Sequence, residues 1–249
     1  MSEEFEKELS KKITYATQNE DCVVIHYQPI HNNRTEKIEK YEVLMRLNVD
    51  GEILYPNDFL PLSKKDDSYK KLSLIMIDKA FSYFEHKDME FSINLSIIDI
   101  EDDNFNRIFF KKMNQYNIYD KLTIEIVETE KISRSLHFHN FIKRVKLLNC
   151  KVAVDDFGTG YSNIEYILDM SEYIDYIKFD GSLIKKIVEN PKVQLFVGNL
   201  KYLCDNIEVL TVAEYVENKE ILEYVDSLGI DYSQGYHIGK PQSHLKCVG

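Results

Sequence analysis

Two adjacent aspartates, Asp155 and Asp156, close an apolar run of Lys151, Val152, Ala153 and Val154, and a glycine-rich stretch follows at once: Phe157, Gly158, Thr159, Gly160, Tyr161, Ser162. Neighbouring residues of a strand point to opposite faces. Both carboxylates can serve one site only where the strand ends and the backbone turns, and the two glycines supply freedom for that turn. Paired acids so placed suit a metal ion, although for a lone pair before a glycine loop a solvated strand end is the favoured reading. Repetition decides between the two. Glu42, Asn94, Glu125 with Glu128, Lys178 with Asp180, Glu214 with Glu217, and Gln234 all stand at or near the end of a run rich in β-branched and aromatic residues. Gathering Glu42, Glu125, Asp155, Asp156 and Glu214 at one rim without partners would be costly in repulsion and desolvation, or would raise several of their pKa values. Divalent cations remove that cost. Carboxylates plus an Asn carbonyl, with no His or Cys, select hard ions such as Mg²⁺ or Mn²⁺ over Zn²⁺. A shared aspartate can bridge two such ions about 4 Å apart, the spacing that serves in-line displacement at phosphorus. Phosphodiester hydrolysis is the chemistry indicated.

The elements that must position this set are eight short runs, at about 23–30, 39–47, 90–97, 121–128, 151–157, 173–180, 208–216 and 232–238. Helical periodicity lies between them, as in Leu72, Ile75, Met76, Ala80 and Phe84, and again in Phe138, Phe141, Val145 and Leu148. Strands alternating with helices predict an α/β protein, economically a TIM-like (β/α)8 barrel whose functional residues gather at strand C-terminal ends. The first two runs differ. Only the polar His31, Asn32, Asn33 and Arg34 join them, which leaves no room for a helix and predicts an antiparallel first strand. Residues 1–20 read as a charged lead-in helix and 21–249 as the barrel.

A chain of 249 residues with 44% hydrophobic content can bury one large core without splitting. No apolar run approaches a membrane span and the N-terminus lacks a signal peptide's apolar core, so a cytoplasmic protein without a membrane segment is expected. Cys22, Cys150, Cys204 and Cys247 are scattered without a CxxC pair and read as structural thiols. His137 and His139 flank Phe138 on a helical pattern, where i and i+2 diverge, and read as surface residues. The net charge of −11 argues against a nucleic acid polymer as partner. That objection weakens for a small phosphate ester where the acids themselves recruit cations.

The ordered motifs resemble the EAL domain, the phosphodiesterase of the bacterial messenger cyclic di-GMP, over nearly the whole chain. Tyr27, Gln28, Pro29 and Ile30 look like its opening strand, and Glu42, Val43, Leu44, Met45, Arg46 stand where its EAL-x-R signature lies. The strand 91–96 resembles that bearing the family's metal-binding Asn, 124–128 its ExxE segment, and 155–162 reproduces its DDFGTGYS loop unchanged. Lys178 with Asp180, the run 212–217, and Gln234, Gly235, Tyr236 with Gly239, Lys240, Pro241 are similar to its KxD, AEGVE and closing segments.

The resemblance implies hydrolysis of cyclic di-GMP to linear pGpG by a two-metal-activated water. Glu42, Asn94, Glu125 and Asp155 would hold the first ion, Asp155 and Asp156 the second, with Glu214 binding an ion or its water. Lys178 would orient the nucleophile and steady charge on phosphorus, Glu128 anchor the DDFGTGYS loop, and Gln234 position water or metal. Arg46 would take a substrate phosphate, with Gln28, Asp180 and Glu217 also on the substrate. A homodimer is implied, through the helix after that loop (Ile164, Tyr166, Ile167 and Met170), and so is a fused sensory or GGDEF domain upstream of residue 1 in the full protein. Three departures stand out: Val43 for the signature Ala, Tyr215 for the glycine of AEGVE, and 63–67 (Ser, Lys, Lys, Asp, Asp) for an Ala-Glu pair and Thr-Gly-Leu turn. Strand alternation is expected to turn Tyr215 away from Glu214. The alternative these departures keep open is a catalytically inactive cyclic di-GMP receptor. An unrelated Mg²⁺-dependent barrel enzyme acting on an enolisable acid would fit the carboxylates and the lysine but leaves the DDFGTGYS loop unexplained.

Overall fold

The computed structural model describes residues 3–127, 135–158 and 164–245, the side chain of Tyr166 excepted. Glu128, Thr159, Gly160, Tyr161, Ser162 and Cys247 therefore lie outside the described residues. The strands are β1 (Val23–Asn32), β2 (Lys37–Val49), β3 (Glu52–Leu54), β4 (Glu90–Leu95), β5 (Leu122–Val127), β6 (Lys151–Phe157), β7 (Tyr176–Phe179), β8 (Leu210–Ala213) and β9 (Tyr232–Gln234). Their order is β1-β9-β8-β7-β6-β5-β4-β2-β3, and a further β1–β2 pairing closes a barrel of eight strands with β3 outside it on β2. Closure leaves no exposed edge in the ring. β1 runs antiparallel to both β2 and β9, while the remaining ring neighbours are parallel. The reversal follows from the short connection. β1 continues through Asn32, beyond the expected turn start, and the turn occupies residues 33–36 with Glu36 at φ +57°.

The helices are α1 (Glu3–Gln18), α2 (Pro56–Ser63), α3 (Ser68–Phe84), α4 (Ile97–Ile100), α5 (Asp103–Met113), α6 (Leu136–Leu147), α7 (Ile164–Met170), α8 (Gly181–Ile184), α9 (Pro191–Asn206) and α10 (Lys219–Ser227). Short polar residues start several of them: the side chains of Ser96, Asp102, Ser135, Asn190 and Asn218 accept first-turn amides of α4, α5, α6, α9 and α10. α3 buries Leu72, Met76, Ala80 and Phe84 as its periodicity requires, and α6 buries Phe138, Phe141 and Val145. α1 buries Leu9, Ile13 and Ala16. In α7, Ile167 and Met170 are buried whereas Ile164 and Leu168 are exposed, so only part of the expected pairing surface faces outward.

Period-2 alternation fills the barrel interior in layers. At the N-terminal end, the Lys40 ammonium lies 4.1 and 4.0 Å from the ring centroids of Tyr176 and Tyr232 and donates to Tyr176 Oη at 2.8 Å. Burial foremost pulls Lys40 down to about 8. Two residues further along the same strands, the inward positions are Glu42, Lys178 and Gln234, at the opposite end.

Candidate active site

The adjacent aspartates reach one site by a device inside the strand. The pairing of β6 with β7 shifts between Val154 and Phe157, a bulge at which Asp156 adopts φ +57°. A bulge inserts one residue and re-aims its side chain, and aspartate is among the few residues that tolerate the left-handed region. The expected turn at the strand end is thereby corrected: β6 runs on through Phe157, and Gly158, at φ +106°, comes after the acids are already placed. One oxygen each from Asp155, Asp156 and Glu214 lie within 4.8 Å of one another. Glu214 follows the last residue of β8, its amide donating to Phe179 O at 3.2 Å.

The other candidate residues converge from β2, β4, β5, β7 and β9. Asn94 Nδ2 and Gln234 Nε2 donate to the two oxygens of Glu42 at 2.7 and 2.6 Å. At the centre stands the Lys178 ammonium, 2.6 Å from Glu125 Oε2, 2.9 Å from Glu214 Oε1, 3.1 Å from Asp155 Oδ1 and 4.0 Å from Glu42 Oε2. Burial works against its charge, but Asp155, Glu125, Glu214 and Glu42 outweigh it and hold the lysine well above its ordinary value. One cation cannot satisfy so many acids. Burial foremost pushes Glu125 up to about 8 despite Lys178, and drives Glu214 well above the usual carboxylate range. Asp156 rises to about 6 through burial, Asp155 and Asp180. Four carboxylates stand around one ammonium, and within this acidic site Asp155, Asp156 and Glu214 form a cluster that could bind a metal.

A cleft of about 660 Å³ opens over this floor, lined also by Gln28, Arg46, Tyr55, Tyr69, Glu217 and Tyr236. Arg46 is buried and donates from Nη1 to Met45 O at 2.9 Å, while its Nε has no hydrogen-bond partner among the described residues. Gln234 Oε1 is likewise buried without one. Gln28 Nε2 donates to Gly239 O at 3.4 Å, and Glu217 is exposed at the mouth. Asp180 does not line the cleft. It caps α8 by accepting from Ser182 N at 2.8 Å, and its charge helps to raise Asp156.

Tyr215 is where the strand expectation fails. β8 ends at Ala213 instead of running to 216, so alternation does not govern Tyr215, which takes φ +54° and lines the cleft mouth half-exposed. Sequence reasoning also passed over Tyr55, Tyr69 and Lys64 as cleft residues. Tyr55 and Lys64 sit at the two ends of α2 with no chemical pattern to mark them, and only the packing of α2 against α1 and α3 brings them in.

The family model described as "EAL domain" matches residues 9–241. Cyclic di-GMP phosphodiesterase PdeB of Shewanella oneidensis is 30% identical over 231 residues, covering 90% of this chain and 27% of that protein. Cyclic di-GMP phosphodiesterase PdeF of Escherichia coli is 32% identical over 222 residues, covering 86% and 29%. The chain thus spans under a third of the length of these curated relatives. An EAL domain protein from Listeria monocytogenes superposes with a TM-score of 0.83 at 26% identity over 94% of both chains. The FimX EAL domain of Xanthomonas citri, solved in complex with c-diGMP, superposes at 0.86 over 98% of both with 18% identity, a likeness of fold.

Proposed function

The chain belongs to the EAL domain family, and from that membership we propose that it hydrolyses cyclic di-GMP to linear pGpG with two divalent cations, Mg²⁺ or Mn²⁺. The observation that carries the proposal is the excess of buried carboxylates over the single ammonium of Lys178, with Glu125, Asp156 and Glu214 all raised. Such a cluster fits hard cations, which would lower its energy. Glu42, Asn94, Glu125 and Asp155 would hold one ion and Asp155 with Asp156 the other, Glu214 standing beside them. When bound, the ions supply Lewis-acid polarisation of the phosphoryl oxygens and an activated water.

The chain's own residues do the rest. Lys178 lies among three of the four ligands assigned to the first ion, standing in for positive charge there. Its four-carbon stem lets it turn toward the phosphoryl group and stabilise developing charge. Gln234 holds Glu42 in place and offers its unpartnered Oε1 to the site. Arg46 presents a buried Nε suited to a phosphate oxygen. Gln28 and Glu217 flank the substrate, Asp180 helps to raise Asp156, and Glu128 anchors the 155–162 loop by family resemblance.

Incubation of the purified chain with cyclic di-GMP and Mn²⁺ or Mg²⁺ should yield pGpG by chromatography, with none from Glu42→Ala. Absence of product with either metal would overturn the proposal. Tight binding without turnover would instead establish the receptor reading, which Tyr215 at the cleft mouth favours. We further infer a homodimer through the exposed Ile164 and Leu168 of α7, to be checked by sedimentation at micromolar concentration, with a monomer counting against it. A further domain in the full protein is supported by the length of the relatives. Cytoplasmic placement is supported by the free thiols of Cys22, Cys150 and Cys204.

A further inference from the structure

Tyr215 occupies a backbone conformation that bulky residues avoid. At φ +54° its Cβ crowds the following carbonyl, a strain glycine would not feel. Strain of this kind persists only where the surroundings over-determine it. Here they do. Val216, the next residue, donates its amide to Gln234 O at 3.0 Å and accepts from His237 N at 3.0 Å. On the other side Glu214 is tied to Phe179 O. The tyrosine ring is seated against Gly181, where any Cβ would fall 2.0 Å from Tyr215 Cδ2, so only glycine at 181 admits the ring. The Lys185 ammonium lies 4.1 Å from the ring centroid. Half of the residue nevertheless remains open, at 50% exposure, beside Glu214, Glu217 and Tyr236 on the cleft wall.

We propose that Tyr215 is a specificity-determining wall of the cleft, on which one purine base of a cyclic dinucleotide stacks. The inference rests on the proposed function, in that a cyclic dinucleotide must occupy the cleft. A pre-seated aromatic ring gives stacking area with little ordering cost, and a purine covers more of it than a pyrimidine. Lys185, exposed at the C-cap of α8, holds its ammonium against the ring and adds positive charge beside the wall. The same position held by glycine would leave that wall bare.

The chain has no tryptophan, so Tyr215→Trp creates a single indole reporter at the site. Mixed rapidly with cyclic di-GMP and Mn²⁺, this variant should show quenched emission before product accumulates. Tyr215→Gly, which relieves the backbone, should keep the fold by circular dichroism and raise KM about tenfold with kcat within about twofold, while Tyr215→Phe restores the wild-type KM. Unchanged Trp emission at saturating ligand, or a KM for Tyr215→Gly equal to or below that of wild type, overturns the inference while leaving the hydrolase reading intact. The second of these results would mark Tyr215 as an obstruction. A wild-type chain that neither binds nor cuts cyclic di-GMP removes both readings together.

Discussion

Lys178 shows how one side chain acquires meaning from its neighbours. Its residue type and place near the end of β7 are legible in the sequence, and so are Glu42, Glu125, Asp155 and Glu214 as candidate acids. That its ammonium stands within 2.6 to 4.0 Å of all four is not, because the four come from β2, β5, β6 and the residue just after β8 and meet only when the ring closes. Replacing it tests whether it acts in chemistry or only as a counter-ion. In Lys178→Met, Mn²⁺ should still bind by calorimetry, since the acids lose their competitor, while kcat falls roughly 10²- to 10³-fold, the scale for removing one preorganised charge stabiliser. A structural ion pair would give the opposite split, with near-normal kcat once metal saturates the site.

At the scale of elements, the site depends on where strands stop or stumble. Strand runs, helix periodicity and the antiparallel start were readable from the sequence because side-chain period and turn length carry them. Strand ends were not, since they are decided by pairing with neighbours: β8 stops at Ala213 and β9 at Gln234, each short of its apolar run. The bulge that turns both Asp155 and Asp156 to use is likewise a matter of register between β6 and β7. Gly235 tests this level. A Cβ there would meet the backbone N and O of Val216 at 2.3 Å, and backbone cannot swing aside as a side-chain tip can. Gly235→Ala should push the 214–216 segment from Gln234, lowering the thermal midpoint by about 2–4 °C for each kcal/mol lost and cutting activity along with it. An unchanged midpoint with full activity would show that the two segments are free to separate.

The whole molecule sets its two ends to different tasks. At the N-terminal end Lys40 is caged by Tyr176 and Tyr232 in a packed plug, whereas the C-terminal end gathers buried acids at an energetic cost. That cost makes stability depend on pH. Burial foremost raises Glu125 from 4.5 to about 8 in the folded state, so the fold holds protons that the unfolded chain releases. Metal-free protein should therefore lose stability as pH rises from about 5 to about 8, opposite in sign to a salt-bridged carboxylate. Calorimetry in EDTA across that range checks the direction. Mn²⁺ at a hundredfold excess over its Kd should recover roughly 5–10 °C, with a larger gain at the alkaline end where the ligands are already deprotonated. A midpoint in EDTA that climbs with pH would contradict the picture of an under-neutralised cluster.

The sequence by itself determined the barrel class, the antiparallel first strand and the acids at strand ends, because periodicity, loop length and residue type are local properties that the chain carries wherever it folds. Only the tertiary structure decided that Lys178 sits among the acids, that Asp156 is turned inward by a bulge, that Asp180 caps α8 outside the cleft lining and that Tyr215 faces the cleft. Each of those depends on distances between residues far apart in the chain, and such distances exist only once register and closure have set the strands against one another.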